Sequence, residues 1–311
     1  MSFLLEPEEG CDGSENVLMM VSSGPKYRDN RDRWRRDVAG REGMKLVFLV
    51  AKPPDDNMQN MLDDENAIHS DIVQSSVVDG HRKLGYKILS GYVWSYLHCS
   101  KASYVAKSDD NVELDLDKME AALQARKTVT ENFIGCSTPN RNSKTLRSSQ
   151  PHISGNWSVS KEQFKLDTML DFCTGFLYVT TPRVGAELVQ AGLMLYRDSD
   201  VEQIEDSLIT GVLRERLEGV VLDTLETGVM AKPWLSVFSH CPWMIGFKIT
   251  FFNDMVISKR SSRSNVQYVG AVTEPGVWRY FLCLQLEGGL GLVEQAAPGL
   301  VPQIVWDICQ R

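Results

Sequence analysis

Apolar residues along this chain fall into short unbroken runs and one long helical stripe, which together predict alternating strands and helices. The runs at 16–23 and 45–50 read as parallel core strands covered on both faces, with the basic segment Arg31 to Arg41 as the helix between them, the opening of a βαβ unit. From Asp79 to Cys99, Leu84, Ile88, Tyr92 and Tyr96 recur every fourth residue, and Leu89, Val93 and Leu97 widen the stripe. That spacing predicts a helix packed on the sheet, with Asp79, Lys83 and Lys87 on its polar side. Tyr104 to Ala106 predicts a strand that runs into a polar turn, Ser108 to Asn111. Further on, the pattern predicts a helix over Leu116 to Ala125 and strands at Asn132 to Gly135 and Gly175 to Thr180. A helix follows from Pro182 to about Leu195, and another from Glu205 to Leu217. Residues 137–156, rich in Ser, Asn, Arg and Pro, predict a long mobile loop, either a flap that closes over a ligand or a surface insertion. The fold class is α/β, a mostly parallel central sheet flanked by helices.

Composition narrows the functional classes. A chain of 311 residues with 43% hydrophobic content supports a sizeable core, and one catalytic domain is the simpler reading. A net charge of −8 argues against nucleic acid as a general partner. The run Arg31 to Arg36 is either a solvated helix face or a diphosphate contact. Seven cysteines show no CxxC pair or zinc spacing, and their odd number leaves at least one thiol free or intermolecular. One acceptor sequon occurs, Asn156-Trp157-Ser158. The opening Met1-Ser-Phe-Leu-Leu-Glu-Pro-Glu-Glu has neither a basic start nor a long apolar core, so no signal peptide or anchor is expected in it.

The candidate chemistry gathers at Asp109, Asp110 and Asn111. Carboxylate and carboxamide oxygens after a strand suit Mg²⁺ or Mn²⁺ at the carboxyl end of an open sheet, and the same turn is also ordinary solvated loop chemistry.

The residues around that turn carry a resemblance. Val17-Leu-Met-Met-Val-Ser-Ser23 is followed by Arg31-Asp-Arg-Trp-Arg35. Glu65, Asp71-Ile72, Asp79, Leu84, Lys87, Trp94 and Cys99 then stand at matching intervals. Trp157-Ser-Val-Ser160, Phe172-Cys-Thr-Gly-Phe-Leu-Tyr-Val179 and Glu205-Asp-Ser-Leu-Ile-Thr-Gly211 complete the series. Over roughly two thirds of the chain, in the sense of several ordered matches rather than one short motif, this resembles the inverting β-1,3-galactosyl- and N-acetylglucosaminyltransferases of galactosyltransferase family 31. The resemblance implies the nucleotide-sugar fold called GT-A over residues 16–245, with a donor half at 16–135 and an acceptor half at 136–245. It leaves 1–15 as an N-terminal extension and 246–311 as an unassigned C-terminal one.

It also implies an activity: transfer of galactose or N-acetylglucosamine from the uridine diphosphate (UDP) sugar to a glycan hydroxyl on protein or lipid, in β-1,3 linkage, with Mn²⁺ or Mg²⁺ and no nucleic acid. Asp206 is the expected base, with Glu205 beside it. Asp109, Asn111 and His240 are the expected metal ligands. Arg31, Arg35, Asp79, Lys87, Lys107, Asp109 and Asp110 form the expected donor-binding set, with Lys107 alternatively pairing with the acid turn. Trp157, Phe176 and Tyr178 line the acceptor groove or pack in the core. Members of the family are Golgi membrane proteins with lumenal catalytic domains, and Cys99 and Cys173 stand at positions compatible with disulfides or with buried thiols. The chain departs from the pattern at Asp37 and Val38, where Thr and Trp are usual, at Asn111 in place of the final carboxylate, and at Glu113 and Asp115. These departures motivate an alternative, a scaffold that binds glycan or nucleotide without turnover. A different Mg²⁺-dependent phosphate-handling enzyme is a third reading, which leaves the matches from Glu65 to Cys99 without a reason.

Overall fold

A computed structural model describes residues 2–126, 132–147, 158–162, 164–198, 204–225 and 232–233, and the backbone of strands between 257 and 294. The chain divides into two compact units, Met1–Leu235 and Ser236–Arg311. In the first, the strands are β1 (Phe3–Leu5), β2 (Val17–Ser22), β3 (Met44–Lys52), β4 (Ile72–Val78), β5 (Tyr104–Asp109), β6 (Val112–Glu113), β7 (Phe133–Cys136), β8 (Pro139–Asn140), β9 (Phe172–Cys173), β10 (Leu177–Thr180), β11 (Val221–Thr224) and β12 (Lys232–Pro233). The main helices are α1 (Arg28–Val38), α2 (Asp56–His69), α3 (Leu84–His98), α4 (Leu116–Ala125) and α5 (Pro182–Asp198).

Eight strands form one sheet in the order β1-β4-β3-β2-β5-β10-β7-β11. Its centre is parallel, with β2 between β3 and β5, and β10 enters antiparallel between β5 and β7. All six residues of β2 are buried, as two covered faces require. Alternation sorts them. Leu18 and Met20 pack with Ile88, Leu89 and Tyr92 of α3, and Val17, Met19 and Val21 pack with Trp34 of α1 and Met119 of α4. A Cβ at Gly91 would overlap Leu49, so glycine is what lets α3 lie this close to β3.

Several expectations change in detail. The 79–99 helix begins as a 3₁₀ turn, His81–Lys83, and its stripe runs out early: Tyr96 and Leu97 are 59% and 61% exposed. Lys87, expected on the polar side, is buried. Residues 1–15 are not a separate tail, since β1 pairs antiparallel with β4 and Cys11 is bonded to Cys99. Residues 137–147, expected in a mobile loop, are tied down. The pairing of β8 with β9, the Cys136–Cys173 disulfide, and Arg147 donating to the carbonyls of Val159, Ser160, Phe164 and Leu166 hold them. The rest of that loop lies outside the described residues. The 205–217 helix is one α turn, Glu205–Ser207, followed by a π segment, Leu208–Leu213, and a 3₁₀ turn, Arg214–Arg216. π segments of this kind recur at functional sites. Among the described residues no helix is long and apolar enough to cross a membrane.

In the second unit, strands Ile257–Arg260, Val266–Glu274, Val277–Leu286 and Gly289–Glu294 follow one another as an antiparallel meander.

Candidate active site

The carboxyl ends of β2 and β5 lie side by side, with Ser22 opposite Asp109, and the Asp110 N–H donates to Ser22 O at 3.1 Å. This register brings Ser23 under the acid turn. The Ser23 hydroxyl donates to Asp110 Oδ2 at 2.7 Å and accepts from Arg31 Nη1 at 3.1 Å. From above, α1 holds the same turn by its backbone: Arg33 Nη2 and Trp34 Nε1 donate to Asp110 O at 2.6 and 3.1 Å. Asp110 is 8% exposed, and burial raises its pKa against the opposing pull of the Ser23 bond and the Lys87 charge.

Beneath α1 lies a buried ion-pair network. Arg31 donates to Glu65 at 2.8 Å from Nε and 2.6 Å from Nη2, and Arg35 reaches Glu65 at 2.7 Å and Asp71 at 2.8 Å. Burial pushes the Glu65 carboxyl up, but the two guanidiniums outweigh it and hold it below the usual range. Arg31 and Arg35, expected at a diphosphate, are therefore engaged by protein carboxylates, with Arg31 side chain exposure of 1%. The signal for this was in the sequence: Glu65 and Asp71 are the counter-charges that the basic run needs when it is buried. Lys87 donates to Ser23 O at 3.0 Å, and burial lowers its pKa against the charges of Asp79, Asp110 and Asp109. The Asp79 side chain is exposed, and its N–H is anchored on Lys52 O.

On the other side of the turn, Lys107, Asp109, Gly175, Tyr178, Glu205 and Asp206 meet. Lys107 Nζ donates to Asp109 Oδ1 at 2.8 Å, Glu205 Oε2 at 3.0 Å and Gly175 O at 3.1 Å. Burial lowers the Lys107 pKa, and the charges of Asp109 and Glu205 more than restore it. Tyr178, fully buried, donates its hydroxyl to Glu205 Oε1 at 2.6 Å, so it stands in the core while its polar tip belongs to the site. Asp206 accepts from Gly175 N–H at 3.2 Å and Ser207 N–H at 2.8 Å. Burial, then the neighbouring Glu205 charge, pushes the Asp206 carboxyl up to about 7. His81 is half-buried. Burial and Arg82 lower its pKa, while Glu205 and Asp109 act the other way. His81 carried no marked signal in the sequence, and Ser23 and Gly175 stood there only as members of matched segments, because their roles depend on contacts across the sheet.

Asn111 is exposed at the tip of the turn, as is Glu113. Asp115 caps α4, accepting from Lys118 N–H at 3.1 Å, so its role is local. Phe176 is half-buried, and its carbonyl accepts from the Ser108 hydroxyl. His240 and Trp157 lie outside the described residues. Among the described residues no three His, Cys, Asp or Glu side chains converge to hold a metal. The donor set at the turn is instead two carboxylates and the Asn111 carboxamide. That set fits a hard divalent cation of the kind that takes one or two carboxylates and completes its shell with substrate phosphates and water.

Comparison with known proteins points the same way as the geometry. Residues 28–221, more than half of the chain, match the galactosyltransferase family. Beta-1,3-galactosyltransferase 5 of Pan paniscus is 27% identical over 194 residues, which cover 60% of this chain and 62% of that protein. The Homo sapiens protein of the same name is 26% identical over 247 residues, 77% of this chain and 76% of the other. Beta-1,3-galactosyltransferase 4 of Mus musculus is 30% identical over 139 residues, 42% of this chain and 37% of that one. The chain thus spans a little under two thirds of the Pan paniscus relative. A solved 4-diphosphocytidyl-2C-methyl-D-erythritol synthase covers 70% of this chain, and 92% of its own, at TM-score 0.38 and 13% identity, too distant to argue from. On the match over 28–221, the chain belongs to the galactosyltransferase family, of the family 31 type expected from its motifs.

Proposed function

We propose that this chain is an inverting hexosyltransferase, moving galactose or N-acetylglucosamine from a UDP-sugar to a glycan hydroxyl on protein or lipid in β-1,3 linkage. The observation that carries this reading is Asp206, a half-buried carboxyl whose proton affinity is pushed up to about 7, oriented by Gly175 N–H and set beside the acid turn. A base works best when its pKa lies near the working pH. In the proposed step Asp206 takes the proton of the acceptor hydroxyl as that oxygen forms its bond to the anomeric carbon, and the bond to the diphosphate breaks on the opposite face. Glu205 is held by Tyr178 and Lys107 at both oxygens, so it serves Asp206 as a fixed neighbouring charge rather than as a second base.

Asp109, Asp110 and Asn111 would hold a divalent cation. When bound, the cation would neutralise the departing diphosphate as a Lewis acid. Arg31 and Arg35 act one layer below, keeping Ser23 and α1 in place, and Lys87 supports the Ser23 carbonyl. Asp79, exposed near the donor end, remains the candidate contact to the nucleotide. Two disulfides in one unit suit an oxidising compartment, which favours the Golgi lumen expected from the resemblance.

The exposed carboxamide of Asn111, uncharged where the family has a carboxylate, favours one second reading, a nucleotide-binding scaffold without turnover. Transfer assays with UDP-galactose and UDP-N-acetylglucosamine in Mn²⁺ decide between them. Turnover that Asp206→Asn abolishes supports the enzyme, and an inactive parent that Asn111→Asp activates supports the scaffold.

A further inference from the structure

The hydrogen bonds around Gly175, closed by the chain link from Glu205 to Asp206, form a ring to which Asp109 is joined through Lys107. Lys107 has three N–H donors, and its three acceptors are Asp109 Oδ1, Glu205 Oε2 and Gly175 O. Gly175 then turns its own N–H to Asp206 Oδ2. The side chain of Lys107 is 1% exposed, so its charge is delivered to these partners and not to an incoming diphosphate. The ring is also filled. A Cβ at residue 175 would come to 3.2 Å from Asp109 Oδ2, 3.3 Å from Lys107 Nζ and 3.7 Å from Glu205 Oε2. The backbone there is not left-handed, so a side chain would be accepted by the main chain, but the ends of Asp109 and Lys107 would have to give by a few tenths of an ångström.

We infer that Lys107 and Gly175 are positioning residues that couple the acid turn to Asp206, so that a displacement of Asp109 is felt at the base. The inference rests on the hexosyltransferase reading for its consequence in rate, and on the ring alone for the coupling. Nothing in it requires Lys107 or Gly175 to touch donor or acceptor. Tyr178 closes the far side of the ring by fixing the other Glu205 oxygen.

The test uses the full chain and two readouts. In steady-state transfer with Mn²⁺, Gly175→Ala should lower kcat by about tenfold, since the shift it forces is a fraction of the ångström-sized misplacement that costs about a hundredfold. KM for the donor and calorimetric binding of UDP should change by less than kcat falls, because Asp109 is the one donor-side group the new Cβ crowds. A loss confined to KM and UDP affinity would overturn the inference, since it would make these residues donor ligands. The second readout needs no turnover. With ¹⁵N-glycine labelling, the Gly175 amide resonance, assigned by its loss in Gly175→Ala, should move on Asp109→Asn in the parent and stay still on Asp109→Asn in a Lys107→Met background. An amide that ignores Asp109→Asn in the parent sinks the coupling, whether or not the protein turns over. If the parent transfers neither sugar, the hexosyltransferase reading fails, and the amide shift still decides the ring. Should Lys107→Met not fold, Tyr178→Phe replaces it as the ring-loosening background, with a reduced amide shift as the expected result and an undiminished one against it.

Discussion

Asp206→Asn is expected to abolish transfer and to lose less stability than the parent as pH rises from 5 to 8. Burial and the Glu205 charge lift this carboxyl from 3.8 to about 7 in the folded chain. A carboxyl raised above its unfolded value holds its proton more tightly in the native state, so stability falls as pH rises from about 4 to about 7 and levels off above that. Between pH 5 and pH 8 the unequal proton binding integrates to nearly two pH units, about 2 to 3 kcal/mol at 1.36 kcal/mol per unit. The variant has no such proton to lose.

It does have a cost. One of the two backbone N–H groups that now donate to Asp206 would face an amide NH₂, and an unmatched buried donor costs about 1 to 3 kcal/mol. That penalty is the same at both pH values, so the clean quantity is the variant-minus-parent difference at pH 8 less the same difference at pH 5. Urea unfolding at the two pH values, with equal m-values for the two proteins, measures it. The double difference should favour the variant by about 2 kcal/mol or more. A value near zero, or one of opposite sign, would mean that Asp206 does not hold a raised proton affinity and would remove its claim to be the base. The parent's transfer rate should rise with pH through about 7 as the carboxyl loses its proton.

Other perturbations test the layers around this group. Arg31→Met leaves Glu65 buried with only Arg35 to pair it, and should cost about 3 kcal/mol by urea unfolding; a loss below about 1 would mean that the pair carries little of the turn's support. Asn111→Asp adds one charge to a hard-cation donor set and should tighten Mn²⁺ binding about tenfold in the presence of UDP, read by calorimetry; unchanged affinity would take Asn111 out of the cation site. The pair Cys11→Ala and Cys99→Ala opens a cross-link with a sequence separation of 88, for which chain entropy gives about 4 to 5 kcal/mol, and the thermal midpoint should fall accordingly; a midpoint that does not move would show that β1 is held without the bond.

Periodicity located what packing alone decides. The unbroken run of β2 and the fourfold stripe of α3 announced themselves because both of their apolar patterns are buried against neighbours of fixed period. It missed α2, whose apolar positions are sparse and whose inner face is Leu62 and the ion-paired Glu65, a burial that hydrophobicity cannot signal. It also gave the 205–217 segment one helix, where the structure widens the turn into a π segment so that Thr210 Oγ1 can accept from Cys173 N–H and donate to Asp206 O.

The site follows the same division. Asp109, Asp110 and Asp206 were legible because carboxylates after a strand and at a helix start are conspicuous wherever they fall. The basic residues were harder to place, since a sequence shows charge but not its partner. Arg31 and Arg35 looked like ligands for an anion from outside, yet the anions they meet are Glu65 and Asp71, from other elements of the same unit. Lys107 could be read either way, and its three donors settle it on the protein's own acceptors. The cations thus shape the acid turn from behind. With Lys107 engaged in the ring and Lys87 on Ser23 O, the proposed transferase would meet its diphosphate with the carboxylates of the acid turn, and a divalent cation between them would offset that charge. UDP affinity measured across a Mn²⁺ titration should therefore rise with the metal, and UDP bound equally well in a chelator would show that positive charge reaches the site from elsewhere in the chain.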